Sequence, residues 1–322
     1  MKLSIGIDVS KDKLDITVYN GSSYKHYICD NNIKSIDSWI REMKLYDVKN
    51  IIFTMEATGV YSLKAAQYLY NKNFFVSVVN PLIIKRFSEF KMLRSKNDKI
   101  DSKIISEYGF EHKPALYKPK PDELEHIRQC LKAIDAFQRD KTQCNNRLKA
   151  LKHNPQANEI LLEVYENQLI RLKLNIKKLE IEIENIINKS YRDLDDLIQS
   201  IPSIGERISS AVIGTFNRFE HFYNAKQVAS FIGMNPSEFS SGISVNKQAS
   251  ISRRGNSYIR KILYMATLTA IRLNKSCKEL YERLLARGKA KKLALIAVAN
   301  KLIRQIFAVV KNNRRYEENY CL

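Results

Sequence analysis

Apolar positions along the chain fall into two regimes. Over roughly the first 110 residues, short apolar runs alternate with helical stretches, as in an α/β domain. Residues 3–9 form a short strand-like run, and residues 14–19 alternate. The turn Asn20-Gly21-Ser22-Ser23 leads into a further strand at 24–29, which predicts a hairpin. Residues 35–45 read as a helix with Ile36, Trp39, Ile40 and Met43 on one face. The nearly continuous apolar run at 50–56 predicts a buried central strand. A helix at 61–71 and a strand at 74–79, stopped by Asn80-Pro81, follow. Helices at 83–91 and 98–110 complete the order: three strands in a meander, then helix, strand, helix, strand, helix.

From residue 123 the period becomes helical, with Leu124, Ile127, Leu131, Ile134, Leu148 and Leu151 in phase until His153-Asn154-Pro155 breaks it. Leu162, Tyr165, Leu169, Leu172, Ile176, Leu179, Ile183 and Ile186 then repeat with three-four spacing. That seam, with Glu and Lys between, suits either one long core helix or a coiled-coil hairpin used for self-association. The Pro turn and the regular seam favour the hairpin. From Asp193 the chain is helical and basic. Ile201-Pro202-Ser203-Ile204-Gly205 resembles a helix-hairpin-helix turn that offers backbone N–H groups to a phosphate, and equally an ordinary turn between helices. A Ser- and Gly-rich segment at 233–242 runs into Ser252-Arg253-Arg254-Gly255-Asn256-Ser257-Tyr258-Ile259-Arg260-Lys261. The expected organisation is α/β plus α, with an α/β domain at 1–115, a helical coiled-coil hairpin at 116–192 and a mainly helical domain at 193–322.

Charge changes the picture from fold to partner. Among 322 residues, 54 Lys+Arg stand against 34 Asp+Glu, a net charge of +20. An excess of that size points to a polyanion, most often nucleic acid. The five cysteines show no C-x-x-C pair, which argues against structural zinc. Their odd number, and an N-terminus that enters a strand at once, suggest a cytoplasmic protein. Residues 293–310 are the most apolar stretch, but Asn300, Lys301, Arg304 and Gln305 within it predict a buried amphipathic helix and no membrane span.

Two carboxylates stand out against this pattern. Asp8 and Glu56 each lie at the end of an otherwise apolar strand, where burial needs compensation. If the two strands are neighbours in one sheet, both emerge at the same edge, outside the strand carboxyl ends where ligands of open α/β sheets bind. Asp98 and Asp101 are three apart and share a helix face. The surrounding segment carries Lys85, Arg86, Lys91, Arg94, Lys96, Lys99 and Lys103. Four acids in a basic field suit Mg²⁺ (or Mn²⁺) acting on nucleic-acid phosphates, with two ions ~3.5–4 Å apart in the two-metal arrangement. The bland alternatives are a turn cap for each strand-end acid and a helix-dipole preference for Asp98 and Asp101.

Three motifs carry a resemblance. Gly6-Ile7-Asp8-Val9-Ser10-Lys11, Met55-Glu56-Ala57-Thr58-Gly59-Val60-Tyr61 and Asn97-Asp98-Lys99-Ile100-Asp101-Ser102 resemble the acidic motifs of the DEDD transposases of the insertion-sequence-110 family, which include the Piv-type DNA invertases. The blocks at 233–242 and 252–261 resemble that family's second region, so the likeness covers nearly the whole chain. Ser102 departs mildly, since the family more often has Ala there. The resemblance implies a RuvC-like, ribonuclease-H-type N-terminal fold with Asp8, Glu56, Asp98 and Asp101 as metal ligands. It also implies a serine nucleophile from Ser240-Ser241-Gly242 that forms a covalent 5′-phosphoserine link and exchanges strands of double-stranded DNA. Ser241 is favoured because it adjoins Gly242, which permits close approach; Ser240 is the alternative. The family further implies a structured bridge RNA that specifies target and donor, a homodimer assembling to a tetramer, and a cytoplasmic protein associated with the nucleoid when bound to DNA.

Arg94, Lys96, Lys99, Arg253, Arg254, Arg260 and Lys261 are the expected nucleic-acid contacts, most simply to phosphates. Two other activities fit much of the same sequence. A Piv-like invertase would use the same site on a host segment. A hydrolytic RuvC-like junction nuclease would need the four acids and no serine.

Overall fold

The structure, a computed structural model, describes residues 3–45, 48–92, 97–241, 245–251 and 255–318; for 236–241 and 245–251 only the backbone is described. Arg94, Lys96, Arg253 and Arg254 lie outside the described residues. The chain divides into two compact units, Met1–Pro119 and Lys120–Leu322.

In the first unit, β1 (Leu3–Val9), β2 (Lys13–Tyr19), β3 (Tyr24–Asp30), β4 (Ile51–Glu56) and β5 (Phe75–Val79) form one mixed sheet in the order β3-β2-β1-β4-β5. The meander β1–β2–β3 is antiparallel, and β4 and β5 extend it in parallel with β1. This arrangement is consistent with a RuvC-like domain. The β2–β3 turn closes as its sequence predicts. Asn20 Oδ1 accepts from the backbone N–H of Ser22 at 3.0 Å and of Ser23 at 2.8 Å, and Gly21 takes φ +97°.

Strand periodicity sorts β1 into two faces. Ile5, Ile7 and Val9 pack with Ile16, Phe53, Met55 and Leu69 into a core that also takes Ile36, Trp39 and Ile40 of α1 (Ile33–Glu42) and Ala65 and Ala66 of α2 (Tyr61–Asn71). The other face of β1 carries Ser4, Gly6 and Asp8, and α4 (Asp98–His112) lies against it, after α3 (Pro81–Phe90). This contact is unusually close. A Cβ on Gly6 would stand 2.2 Å from the Ser102 carbonyl oxygen and 2.3 Å from the Ser106 nitrogen. On Gly109 it would meet Thr54 Oγ1 at 2.2 Å. Small residues on both sides therefore seat α4 on the sheet, and polar groups close the seam. Ser4 Oγ donates to the Ser106 carbonyl at 2.7 Å, and Ser102 Oγ lies 2.8 Å from Thr17 Oγ1.

The second unit begins with α5 (Asp122–Lys152) and α6 (Glu159–Ser190), which run antiparallel around the turn at 153–158. Cys144 Sγ donates to the Tyr165 carbonyl at 3.4 Å near the turn. At the far end Ile127, Leu131 and Ile134 share a core with Ile183 and Ile187. The predicted seam is the inner face of α6: Leu172, Ile176 and Ile183 are buried, and Leu162, Tyr165, Leu169, Leu179 and Ile186 are half-buried. The same core continues through α7 (Arg192–Gln199), α8 (Glu206–Phe216), α9 (Ala225–Ile232), α10 (Ser257–Leu273), α11 (Lys275–Ala286) and α12 (Lys291–Asn312). The turn at 201–205 sets Ile201 and Ile204 into that core, with Ser203 at φ +86°. Of the described helices, α12 is long and apolar enough to cross a membrane. It is nonetheless a core helix, with Val298, Leu302, Ile303 and Ile306 fully buried.

The serine-bearing segment forms β6 (Pro236–Ser241), paired antiparallel with β7 (Val245–Ile251) and interrupted by a bulge between Ser237 and Phe239. Its Ser-rich composition carries no strand signal, because the sequence Pro236-Ser237-Glu238-Phe239-Ser240-Ser241 lacks the alternation of apolar and polar residues that marks a strand. Glycines hold both ends of the hairpin. Gly233 caps α9 at φ +80°, and Gly255, at φ +110°, leaves no space for a Cβ against Phe231 and Ile232 backbone atoms at 2.6–2.7 Å.

Candidate active site

Register decides whether the strand-end acids meet. In the parallel pairing of β1 with β4, Ile7 stands opposite Met55. The next residues, Asp8 and Glu56, therefore leave the sheet side by side. By strand period both are on the face that α4 covers. Asn97 caps α4 by accepting from the Ile100 N–H at 2.8 Å, so the helix starts at Asp98. Asp98 and Asp101 consequently occupy its first turn, where the helix dipole favours carboxylates.

The electrostatics register this crowding. Asp8 is half-buried, and its carboxyl is raised from 3.8 to about 6. Burial is the largest cause, followed by the neighbouring charges of Asp101, Asp98, Glu56 and Asp15. All four expected acids thus act on one locus. Burial grades outward, with Asp8, Glu56 and Asp101 half-buried and Asp98 exposed. Lys99 is exposed on the same first turn of α4.

Two residues join this locus that the sequence reading passed over. Asp15 pairs directly opposite Asp8 across β1–β2 and is only 4% exposed. Lys13, two residues earlier on the same face, places Nζ 3.0 Å from Asp15 Oδ2 and 2.7 Å from Asp98 Oδ2. His26 Nε2 on β3 lies 3.3 Å from Asp15 Oδ1. The signal was present, since an Asp at an inward position between Leu14 and Ile16 poses the same burial problem as Asp8.

The donor set fits a hard divalent cation: carboxylate oxygens in mutual repulsion, one of them protonated more readily than usual. Thr58 Oγ1, two residues beyond Glu56, is buried with no hydrogen-bond partner. Among the described residues, no three His, Cys, Asp or Glu side chains stand close enough together to hold a metal ion as they are placed.

The remaining expected residues lie in the second unit. Ser240 and Ser241 end β6, opposite Asn246 and Val245 of β7. Arg260 donates to the Ile232 carbonyl at 2.6 Å, at the C-terminus of α9. Lys261 Nζ lies 2.8 Å from Asp135 Oδ1 on α5. Both cations therefore have partners within the protein.

Two family models and several relatives match the chain. A model described as Transposase, of the DEDD type of IS110, matches residues 5–152, and one described as Transposase IS116/IS110/IS902 family matches residues 195–282. The chain is 28% identical to the pilin gene-inverting protein of Moraxella lacunata over 98% of both chains. It is equally similar, at 28% over 98% of both, to the pilin gene-inverting protein of Moraxella bovis. To the transposase for insertion sequence element IS1111A of Coxiella burnetii it is 22% identical over 97% of this chain and 90% of that one. A strand-end pair of acids, a capped helix bringing two more, and these matches to both units lead to one assignment: the chain belongs to the IS116/IS110/IS902 family of transposases and is a DNA transposase or recombinase.

Proposed function

We propose that this enzyme cuts and exchanges DNA strands through a covalent 5′-phosphoserine intermediate, with Asp8, Glu56, Asp98 and Asp101 holding Mg²⁺ or Mn²⁺ and Ser241 as nucleophile. The observation that supports the metal site is the electrostatic influence of Asp101, Asp98 and Glu56 on half-buried Asp8, whose carboxyl is raised to about 6. A divalent cation there would offset that repulsion and polarise a bound phosphate. Asp8 and Glu56 would be held by paired strand ends, and Asp98 and Asp101 by a capped helix seated on glycine, so the ligands sit on rigid elements.

The serine step is a transesterification. A bond forms between Ser241 Oγ and the scissile phosphorus, and the bond from phosphorus to the 3′ oxygen breaks. The hydroxyl proton ends on that 3′ oxygen. The phosphodiester energy is retained in the serine ester, so strands rejoin without ATP. Ser240, its neighbour in β6, is the alternative nucleophile. Lys99, with Arg94, Lys96, Arg253 and Arg254, would bind phosphates. Arg260 and Lys261, each with N–H donors beyond those engaged by Ile232 and Asp135, would add to these contacts. A bridge RNA would specify target and donor, and pairing of dimers into tetramers would bring two sites together.

Incubation with a suicide DNA substrate tests this reading. It expects a protein–DNA adduct in Mg²⁺ that is lost in Ser241→Ala and in Asp8→Asn. Free ends without an adduct would indicate plain hydrolysis by a junction-type nuclease. If Ser241→Ala and Ser240→Ala both keep full strand exchange, the nucleophile lies elsewhere. Inversion of a chromosomal segment is the second reading, favoured by the full-length likeness to pilin gene-inverting proteins. Inversion and insertion reporters on a plasmid separate the two.

A further inference from the structure

The acidic locus already contains a cation of its own. Lys13 Nζ bridges Asp15 at 3.0 Å and Asp98 at 2.7 Å. The two ends of this bridge are unequal. The Asp15 side chain is 6% exposed, whereas that of Asp98 is 55% exposed. Asp15 is also held by His26, whose ring in turn lies 3.4 Å from Thr17 Oγ1. Thr17 reaches Ser102 of α4 at 2.8 Å. Lys13 is thus moored on the sheet side and only docked on the helix side. Both of its partners, Asp15 and Asp98, also act on Asp8, as do Asp101 and Glu56, so the lysine sits within an excess of negative charge at one sheet end. Among the described residues, no three acids are grouped closely enough to hold a metal ion as they are placed, and one of the four expected ligands, Asp98, is engaged by the lysine.

We propose that Lys13 is a positioning residue that competes with the divalent cation for Asp98. Anchored on Asp15, its ammonium holds the first turn of α4 to β2 while no divalent cation is bound, and it must release Asp98 when one arrives. This inference rests on the four-acid metal site proposed above. It requires two effects of opposite sign. Neutralising Lys13 removes a contact that steadies the metal-free fold. The same change removes both a competitor for Asp98 and a positive charge beside the incoming cation. Metal affinity therefore rises while metal-free stability falls. A lysine with only a structural role would lower both together.

The test uses the full chain, with Mn²⁺ and Mg²⁺ titrated calorimetrically and melting followed in EDTA. Lys13→Met should melt lower in EDTA and bind Mn²⁺ about five- to tenfold more tightly, the order expected from releasing an exposed ion pair and its repulsion of the ion. Lys13→Arg should restore the wild-type values of both. Lys13→Gln repeats the measurement with a shorter neutral side chain should Lys13→Met fold poorly. Unchanged or weaker Mn²⁺ affinity in both neutral variants, with Asp8→Asn still abolishing binding, would overturn the role of Lys13 and leave the four-acid site standing. Wild-type affinity in Asp8→Asn would instead remove the four-acid site, and this proposal with it.

Discussion

Replacing Asp8 with Asn should stabilise the metal-free protein while abolishing strand exchange. The carboxyl is raised from 3.8 to about 6 by burial and by four neighbouring acids. Its folded-state affinity for a proton therefore exceeds that of the unfolded chain. Below pH 3.8 both states are protonated and the site costs nothing. As pH rises through the window from 3.8 to about 6, the unfolded chain loses its proton first, and stability falls. Above that window the whole penalty remains. Taken at face value, the shift corresponds to about 3 kcal/mol. Asp8 is half-exposed and screened by water, which reduces this to about 1–2 kcal/mol. Asn keeps the shape without the charge, so Asp8→Asn should recover about that amount at pH 7.5 in EDTA and almost none at pH 4. Urea unfolding at the two pH values, followed by near-UV circular dichroism, measures the difference. Addition of Mg²⁺ should raise the midpoint of the wild type and leave that of Asp8→Asn unmoved. A variant no more stable than wild type at pH 7.5, or one with an equal gain at pH 4, would refute the crowded-acid account.

The other expectations concern packing, capping and charge. Gly6→Ala should cost about 3 kcal/mol or more, because its Cβ meets backbone of α4 rather than a movable side chain; chemical denaturation measures it. Asn274→Ala should lose about 2 kcal/mol in the same assay, since Asn274 caps α11 through the Cys277 N–H at 3.1 Å and donates to buried Gln305 Oε1 at 3.1 Å. Ile183→Ala on the buried seam of α6 should cost about 2–4 kcal/mol, whereas Ile181→Ala, 47% exposed, should cost well under 1 kcal/mol. Binding to duplex DNA should weaken steeply and log-linearly with salt, as a net charge of +20 implies; a flat response in a filter-binding series would count against phosphate contacts as the use of that charge.

Much of the chain was legible before any coordinates because its information is local or periodic. Alternation and the Asn-Gly turn define β1 to β3, and three-four spacing selects Leu172, Ile176 and Ile183 as the buried line of α6. Asn97, Asn158, Asn256 and Asn274 precede helices that they cap through their own side chains. Asp8 and Glu56 could be picked out singly, because a carboxylate closing an apolar strand needs a reason to be there. What sequence alone could state only conditionally was that they meet, since strand adjacency is a long-range property of the sheet.

Tertiary structure decided the rest. The contact of α4 with β1 depends on Gly6, Ser102, Ser106 and Gly109, small residues without an apolar stripe, so no helical period announces it. That contact brings Asp98 and Asp101 to Asp8. Asp15 and Lys13 were hidden in an ordinary alternating strand, and only the pairing of Asp15 with Asp8 and the reach of Lys13 to α4 give them a role. The hairpin β6–β7 was not legible because its Ser-rich first strand lacks the apolar–polar alternation that marks a half-buried strand. Sequence thus determined which residues carry charge and which faces are apolar. The sheet register and one close helix seat determined which of those charges share a site, because electrostatic coupling depends on distances that no spacing along the chain encodes.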